Sequence, residues 1–150
     1  MSALAGLKVV DLTHIMAGPT CTLMLADMGA DVIKVEKVPG GDDTRRSVPP
    51  TVGTESAAFL MMNRSKRGIA LDLRQEDGKR ILRRLLETAD VLVENYRRDT
   101  IEKLGFGYDA VRAYNPRLVY CSISGFGRTG PYAARGGFDL VAQAMSGVMS

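Results

Sequence analysis

Long uncharged apolar runs are missing from this 150-residue chain. No stretch approaches the roughly 18 to 20 residues needed to span a bilayer. The N-terminus has no basic region followed by an apolar stretch, so nothing there reads as a secretory signal. The cytoplasm, or an organellar matrix for a mature chain, is the expected compartment. Histidine occurs once and cysteine twice. A zinc site draws on several such ligands, and a thiol nucleophile needs a basic partner in a polar setting, so no metal or redox cofactor is expected. Cys21 and Cys121 read instead as small buried hydrophobes. Neither sign of charge dominates: a net charge of +3 and a pI near 9.0 do not by themselves indicate a nucleic-acid partner. The G-x-G-x-x-G dinucleotide fingerprint is also absent, which removes the main support for a generic NAD site.

What is present is an ordinary globular balance, 45% hydrophobic and 25% charged, in a length that suits one domain. The opening carries the most information. Gly6-Leu-Lys-Val-Val-Asp-Leu-Thr-His14 reads as a strand, Gly18-Pro19 opens a helix, Gly29 closes it, and Asp31-Val-Ile-Lys-Val-Glu-Lys37 is a second strand. Within the helix, Cys21, Met24, Leu25 and Met28 recur at i, i+3, i+4, i+7, which predicts one buried face. A strand leading into a helix N-terminus is where α/β sheets bind ligands, and the unpaired N–H groups there favour an anion.

Further along, Pro39 to Gly53 is rich in Gly, Pro, Asp and Thr and reads as a long functional loop. Ala57 to Met62 is a short helix or strand, and Gly68 to Leu73 a strand. An amphipathic helix follows, with Glu76 and Asp77 in its first turn, a basic stripe of Lys79, Arg80, Arg83 and Arg84, and Ile81, Leu82, Leu85, Leu86 and Ala89 opposite. The basic stripe reads as a solvated face. Asp90 to Tyr96 is another strand, two short helices lie between Asp99 and Asn115 with Asp109 as an N-cap, Leu118 to Ser124 is a strand, and Phe138 to Val148 a helix. Such alternation predicts an α/β fold, an open parallel sheet with helices on both faces.

The first turn, the second strand and Gly40-Gly41-Asp42-Asp43-Thr44-Arg45 resemble the N-terminus of the family III CoA-transferases. Asn63 to Leu73, Asp90 to Tyr96, Leu104-Gly105-Phe106-Gly107-Tyr108 and Ser122-Ile123-Ser124-Gly125-Phe126-Gly127 with Gly130-Pro131 extend the resemblance along essentially the whole chain, in the family's order. The family includes formyl-CoA, carnitine, succinyl- and glutaryl-type transferases and the related α-methylacyl-CoA racemases. The resemblance implies a Rossmann-like sheet, residues 1–150 forming the N-terminal, CoA-binding part of the family's large domain. It also implies acyl-CoA and carboxylate substrates, and a homodimer for the full-length protein.

Carried over position by position, the resemblance assigns CoA binding to Met16, Ala17, Lys37, Leu71, Asp72, Leu73, Arg74, Asn95, Tyr96, Arg97, Lys103 and Arg135. The chemistry suits the ligand, because CoA needs cations and backbone N–H groups for its phosphates and an apolar slot for adenine. Asn95 and Tyr96, an amide and a ring at a strand end, are read as adenine or ribose contacts. Met16 stands where formyl-CoA transferases have a polar residue such as Gln. His14 is read as a hydrogen-bonded structural residue of the turn.

The family's nucleophile is an Asp that attacks the acyl-CoA thioester, in a Gly-Asp motif beyond the glycine loop. No Gly-Asp pair follows Gly137, so no catalytic residue is assigned, and Asp139 is read as a cap or fold residue. The chain taken alone is expected to be inactive. The racemase branch places a His directly before the Asp of this loop, where this chain has Phe138. The expected function is therefore CoA transfer through a covalent aspartyl intermediate, with a racemase or a non-catalytic CoA- or nucleotide-binding module as the alternatives.

Overall fold

The computed structural model describes residues 2–149. Strands β1 (Lys8–Asp11) and β2 (Asp31–Lys37) flank helix α1 (Ala17–Asp27), and a one-turn 3-10 helix spans Asp43–Arg46. A small hairpin of β3 (Thr51–Val52) and β4 (Glu55–Ser56) leads into α2 (Ala57–Asn63) and β5 (Arg67–Leu71). Then come α3 (Glu76–Thr88), β6 (Val91–Glu94), α4 (Thr100–Lys103), α5 (Tyr108–Arg112), β7 (Val119–Ser122) and α6 (Asp139–Ser146).

The main sheet runs β5-β2-β1-β6-β7, and every pairing in it is parallel. The direction of winding reverses between β1 and β6. Register pairs Val9 with Val32 on one side and with Val91 on the other. Because successive strand residues face opposite ways, Val9, Val32 and Val93 pack with Ala26 of α1, whereas Val10, Val35 and Leu92 pack with Leu82, Leu86, Ile101 and Val111 of α3, α4 and α5. The sheet is thus covered on both faces, as the alternating sequence predicts.

Helix α3 shows its sequence plainly. Leu82 and Leu86 are fully buried, Glu76 and Asp77 occupy the first turn, and Lys79 and Arg80 pair back to them at 2.8 and 2.9 Å. The Asn115 side-chain amide donates to the carbonyls of Leu86 and Ala89 at 2.8 and 2.9 Å, satisfying acceptors that the helix end leaves open. Arg83, expected in a solvated stripe, stacks over the Tyr114 ring at 4.7 Å.

Several local expectations are corrected. In α1 the buried residues are Gly18, Pro19, Thr22, Leu23 and Ala26, while Met24 and Met28 are exposed and Cys21 is half-buried. The helix lays its small and polar side onto the sheet because charged groups lie beneath it. Cys121 is likewise half-buried. The loop from Pro39 to Gly53 contains the 3-10 turn and β3, and residues 57–62 are helical, with the Ser56 hydroxyl accepting from the Phe59 N–H. Helix α5 starts at Tyr108 with Gly107 as its N-cap, so Asp109 lies inside the first turn. Asp139 is the first residue of α6, not its cap, and its carboxylate accepts from the Gln143 amide at 2.5 Å.

Candidate functional site

At the carboxyl edge of the sheet, β1 ends in Asp11, whose side chain is fully buried under α1. One carboxylate oxygen accepts from the Thr13 N–H and hydroxyl at 2.9 and 2.5 Å, the other from the Thr22 hydroxyl at 2.6 Å and Lys66 Nζ at 3.0 Å. Lys66 also donates to the Pro19 carbonyl and Asn63 Oδ1, so all of its protons have partners. Burial would raise the Asp11 carboxyl, but Lys34, Lys66 and the two threonines hold it below the usual carboxylate range. Burial pushes the Lys66 ammonium down, more than Asp11 raises it. A Cβ on Gly18 would come within 2.2 Å of Thr13 Cβ, so only glycine lets the start of α1 sit this close to the strand end.

A second buried pair lies beside the first. Lys34, in the middle of β2, meets Asp42 at 2.8 Å and donates to the Thr13 carbonyl at 2.9 Å. Burial would raise the Asp42 carboxyl, yet the Lys34 ammonium and the amides of Thr44 and Ile15 hold it at about 2. Next along, Glu36 takes a two-pronged guanidinium contact from Arg45 at 2.7 and 2.8 Å, and Arg45 stacks over Phe59 at 3.7 Å. The segment after β2 is therefore fastened by paired charges whose desolvation is offset only while both partners remain.

An open cleft of about 340 Å³ lies at the same edge, lined by residues 35–39, Leu71 to Arg74, Tyr96 and Leu104. It gathers six of the sequence-predicted positions: Lys37, Leu71, Asp72, Leu73, Arg74 and Tyr96. Its floor is aliphatic and its rim is charged. Lys37 pairs with Asp43 at 2.8 Å and Arg74 with Asp72 at 2.9 Å, both at exposed positions where ion pairs are weak and easily exchanged. Tyr96 closes one side; burial, then Glu94, push its hydroxyl up to about 12, so it stays protonated at neutral pH.

The other six positions lie outside this cleft. Met16 and Ala17 are exposed at the start of α1, and Arg97 and Lys103 are exposed with no ion pair among the described residues. Arg135 stacks on Tyr132 at 4.3 Å in the glycine-rich loop. Asn95, read as a ligand contact, is engaged internally: its Nδ2 donates to the His14 carbonyl at 2.8 Å and its Oδ1 accepts from the His14 N–H at 2.9 Å. That clamp spans the point between β1 and β6 where the winding reverses. His14 is thus structural through its backbone, but its ring Nδ1 is buried without a partner, and the ring meets Tyr96 edge-on at 5.6 Å. Burial pushes the imidazole below its ordinary value, more than Asp42 pulls it back.

Sequence reasoning missed Lys34, Asp42 and Lys66, and also Arg128. Arg128 donates to Ser122 Oγ at 3.1 Å, reaches Glu94 at 3.5 Å and Glu102 more closely, pinning the glycine-rich loop to the sheet edge. The only signal for the first group was a Lys and a Glu placed inside an otherwise apolar strand, which requires buried partners without saying which.

A doubly wound parallel sheet with a cleft and exposed cations at its carboxyl edge has the geometry in which open α/β sheets hold ligands. Residues 4–150 match the family described as CoA-transferase family III, and the chain belongs to that family. It is 50% identical over 153 residues to a succinate–glutarate CoA-transferase of Agrobacterium fabrum, covering 98% of this chain and 38% of that protein. It is 47% identical over 146 residues to the succinyl-CoA:glutarate CoA-transferase of Homo sapiens, covering 97% and 33%. The structure of a CAIB/BAIF family protein from Brucella suis superposes with a TM-score of 0.94 at 49% identity, covering 99% of this chain and 40% of that one. The chain therefore spans well under half the length of these relatives. A putative betaketoacyl-ACP reductase, at 14% identity and a TM-score of 0.51, shares the fold alone.

Proposed function

We propose that this chain is the CoA-binding part of the large domain of a CoA-transferase, which moves CoA from an acyl-CoA donor to a carboxylate acceptor. The observation that carries the reading is the cleft, where an aliphatic floor, a ring and two exchangeable cations occupy positions that the family resemblance assigns to CoA. Adenine would lie on Leu71, Leu73 and Tyr96, and phosphates would displace Asp43 and Asp72 from Lys37 and Arg74. Arg97 and Lys103, on the segment after β6, and Arg135, on the segment after β7, would complete the charge. The names of the relatives make succinyl-CoA the first donor to test and glutarate the first acceptor.

In the proposed reaction a carboxylate attacks the donor thioester, giving a mixed anhydride and CoA thiolate. The thiolate attacks the enzyme-side carbonyl, releasing the donor acid and leaving an enzyme thioester. The acceptor carboxylate then repeats the exchange in reverse, so no nucleotide triphosphate is consumed. The nucleophile is placed outside these 150 residues. Full-length protein is expected to dimerise, as the resemblance implies.

Calorimetric titration of CoA into the full-length protein tests the reading. Lys37→Ala and Arg74→Ala should each weaken CoA by about tenfold to a hundredfold, the scale of a lost charged hydrogen bond. Unchanged affinity in both variants would sink the site. Formation of labelled glutaryl-CoA from succinyl-CoA and labelled glutarate tests the transfer itself.

A further inference from the structure

The turn between β1 and α1 is gripped by its main chain at three successive residues. Lys34 holds the Thr13 carbonyl, the Asn95 amide brackets His14, and Asp42 Oδ1 accepts the Ile15 N–H at 3.1 Å. Ile15 has φ 71°, a left-handed conformation in which a β-branched residue is an outlier. Its side chain is 47% exposed, so packing does not impose that backbone. The hydrogen bonds must.

Asp42 is itself rigid. It is fully buried and ion-paired to Lys34, its Oδ1 also accepts from the Thr44 N–H and hydroxyl, and its own N–H donates to Glu36 at 2.9 Å. Such a carboxylate faces the protein, not a ligand. The residues that follow Ile15, Met16 and Ala17, are exposed as well. Strain that the surroundings over-determine, next to an exposed pair at a helix start, is the pattern of a preorganised ligand contact.

We propose that Asp42 is a positioning residue: through the Ile15 N–H it fixes the left-handed turn that presents Met16 and Ala17 to CoA. This rests on the CoA reading above. Asp42 touches no ligand; it acts on the turn through the Ile15 N–H and, by its pair with Lys34, on the grip of the Thr13 carbonyl.

The test combines CoA titration with peptide-resolved hydrogen exchange on the full-length protein. In the wild type the Ile15 amide should exchange as slowly as those of β1. Asp42→Ala should speed exchange across residues 13–17 while α3 keeps its protection, and should weaken CoA by about tenfold. Asp42→Asn leaves Lys34 without its counter-charge and should lower stability, but it keeps an acceptor for the Ile15 N–H, so the CoA affinity of the folded variant should stay within about threefold of wild type. Adding Ile15→Gly to Asp42→Ala should recover most of the lost affinity, since glycine enters the left-handed region freely; a purely stabilising role for Asp42 gives no such recovery. The proposal is overturned if wild type binds CoA and Asp42→Ala binds it equally well, or if Asn costs as much as Ala. Failure of the wild type to bind CoA overturns the functional reading instead, and the proposal with it. Should Asp42→Ala not fold, fast exchange of Ile15 in the wild type, or loss of affinity in Asp42→Asn, still refutes it.

Discussion

The two faces of the sheet solve burial differently. Under α3, α4 and α5 the contact is aliphatic, with Leu82, Leu86, Leu92 and Ile101 all at 0% exposure. Under α1 an apolar patch around Val9, Val32 and Val93 gives way, toward the carboxyl edge, to Asp11, Lys34, Asp42 and Lys66. The aliphatic face gains stability in proportion to the area it removes from water and is indifferent to small shifts. The charged face gains little net energy from its ion pairs but accepts one geometry only, because each charge needs its partner in place. Stability resides chiefly on the aliphatic side, whose cluster also supplies the cleft floor through Val35, Leu71 and Leu73, while the charged side fixes the turns that follow β1 and β2.

Separating these roles experimentally begins with Asp11→Ala, which leaves Lys66 buried without its counter-charge. It should cost roughly 3–5 kcal/mol by denaturant unfolding of the full-length protein. The compensating Asp11→Ala, Lys66→Met pair should recover much of that stability without restoring CoA binding. Leu86→Ala on the opposite face should cost roughly 2–5 kcal/mol through a cavity. Leu86 lies outside the cleft lining, so the affinity for CoA should stay at the wild-type value, and a loss of binding would show that the cavity reaches the cleft floor through the cluster they share.

Acid should act chiefly on the charged face. Asp42 has a folded value of about 2, below that of an unfolded aspartate, so its contribution is whole above about pH 4 and is lost as pH falls toward 2. The loss is about 2 kcal/mol on that shift. Asp11 and Glu36, also lowered, act in the same direction. His14 works earlier: its value is depressed in the fold, so the unfolded chain takes up a proton first and stability declines once pH drops below about 6.5. Unfolding curves at pH 8, 5 and 3 should therefore fall in two steps, with His14→Gln removing the upper one. The smallest effect is reserved for Arg84→Ala on the exposed side of α3, which should stay within about 0.5 kcal/mol.

The same division explains what could be read from the sequence. Strand β2 has the expected bounds, and α3 the expected buried leucines, since area burial leaves a periodic trace. Helix α1 misleads because its sheet-facing side is chosen by Thr22 and Gly18, which serve Asp11 and Thr13, so the methionine periodicity marks the outward side. The cleft was legible through Lys37, Leu71 to Arg74 and Tyr96, which fall at strand ends. The internal clamp of Asn95 was not legible because an amide that bridges two strand ends has the same sequence appearance as one that meets a ligand. Lys34 and Asp42 are eight positions apart across a turn, a pairing that no periodicity encodes.

One contact at the glycine-rich loop bears on how such proteins diversify. Gly125 and Gly137 meet backbone to backbone, and a Cβ on either would lie 2.3 Å from the other's Cα. The intervening segment is thus tied at its base, as a bag is tied at its neck. Lengthening a closed segment costs only about 0.6 kcal/mol per doubling. Residues between the two glycines that make no contact outside the segment can be exchanged with little effect on β7 or α6, whereas Arg128, bonded to Ser122 of β7, is fixed and the glycines themselves admit no side chain. Variation of sequence and length can therefore be absorbed in this stretch while the sheet beneath keeps its shape.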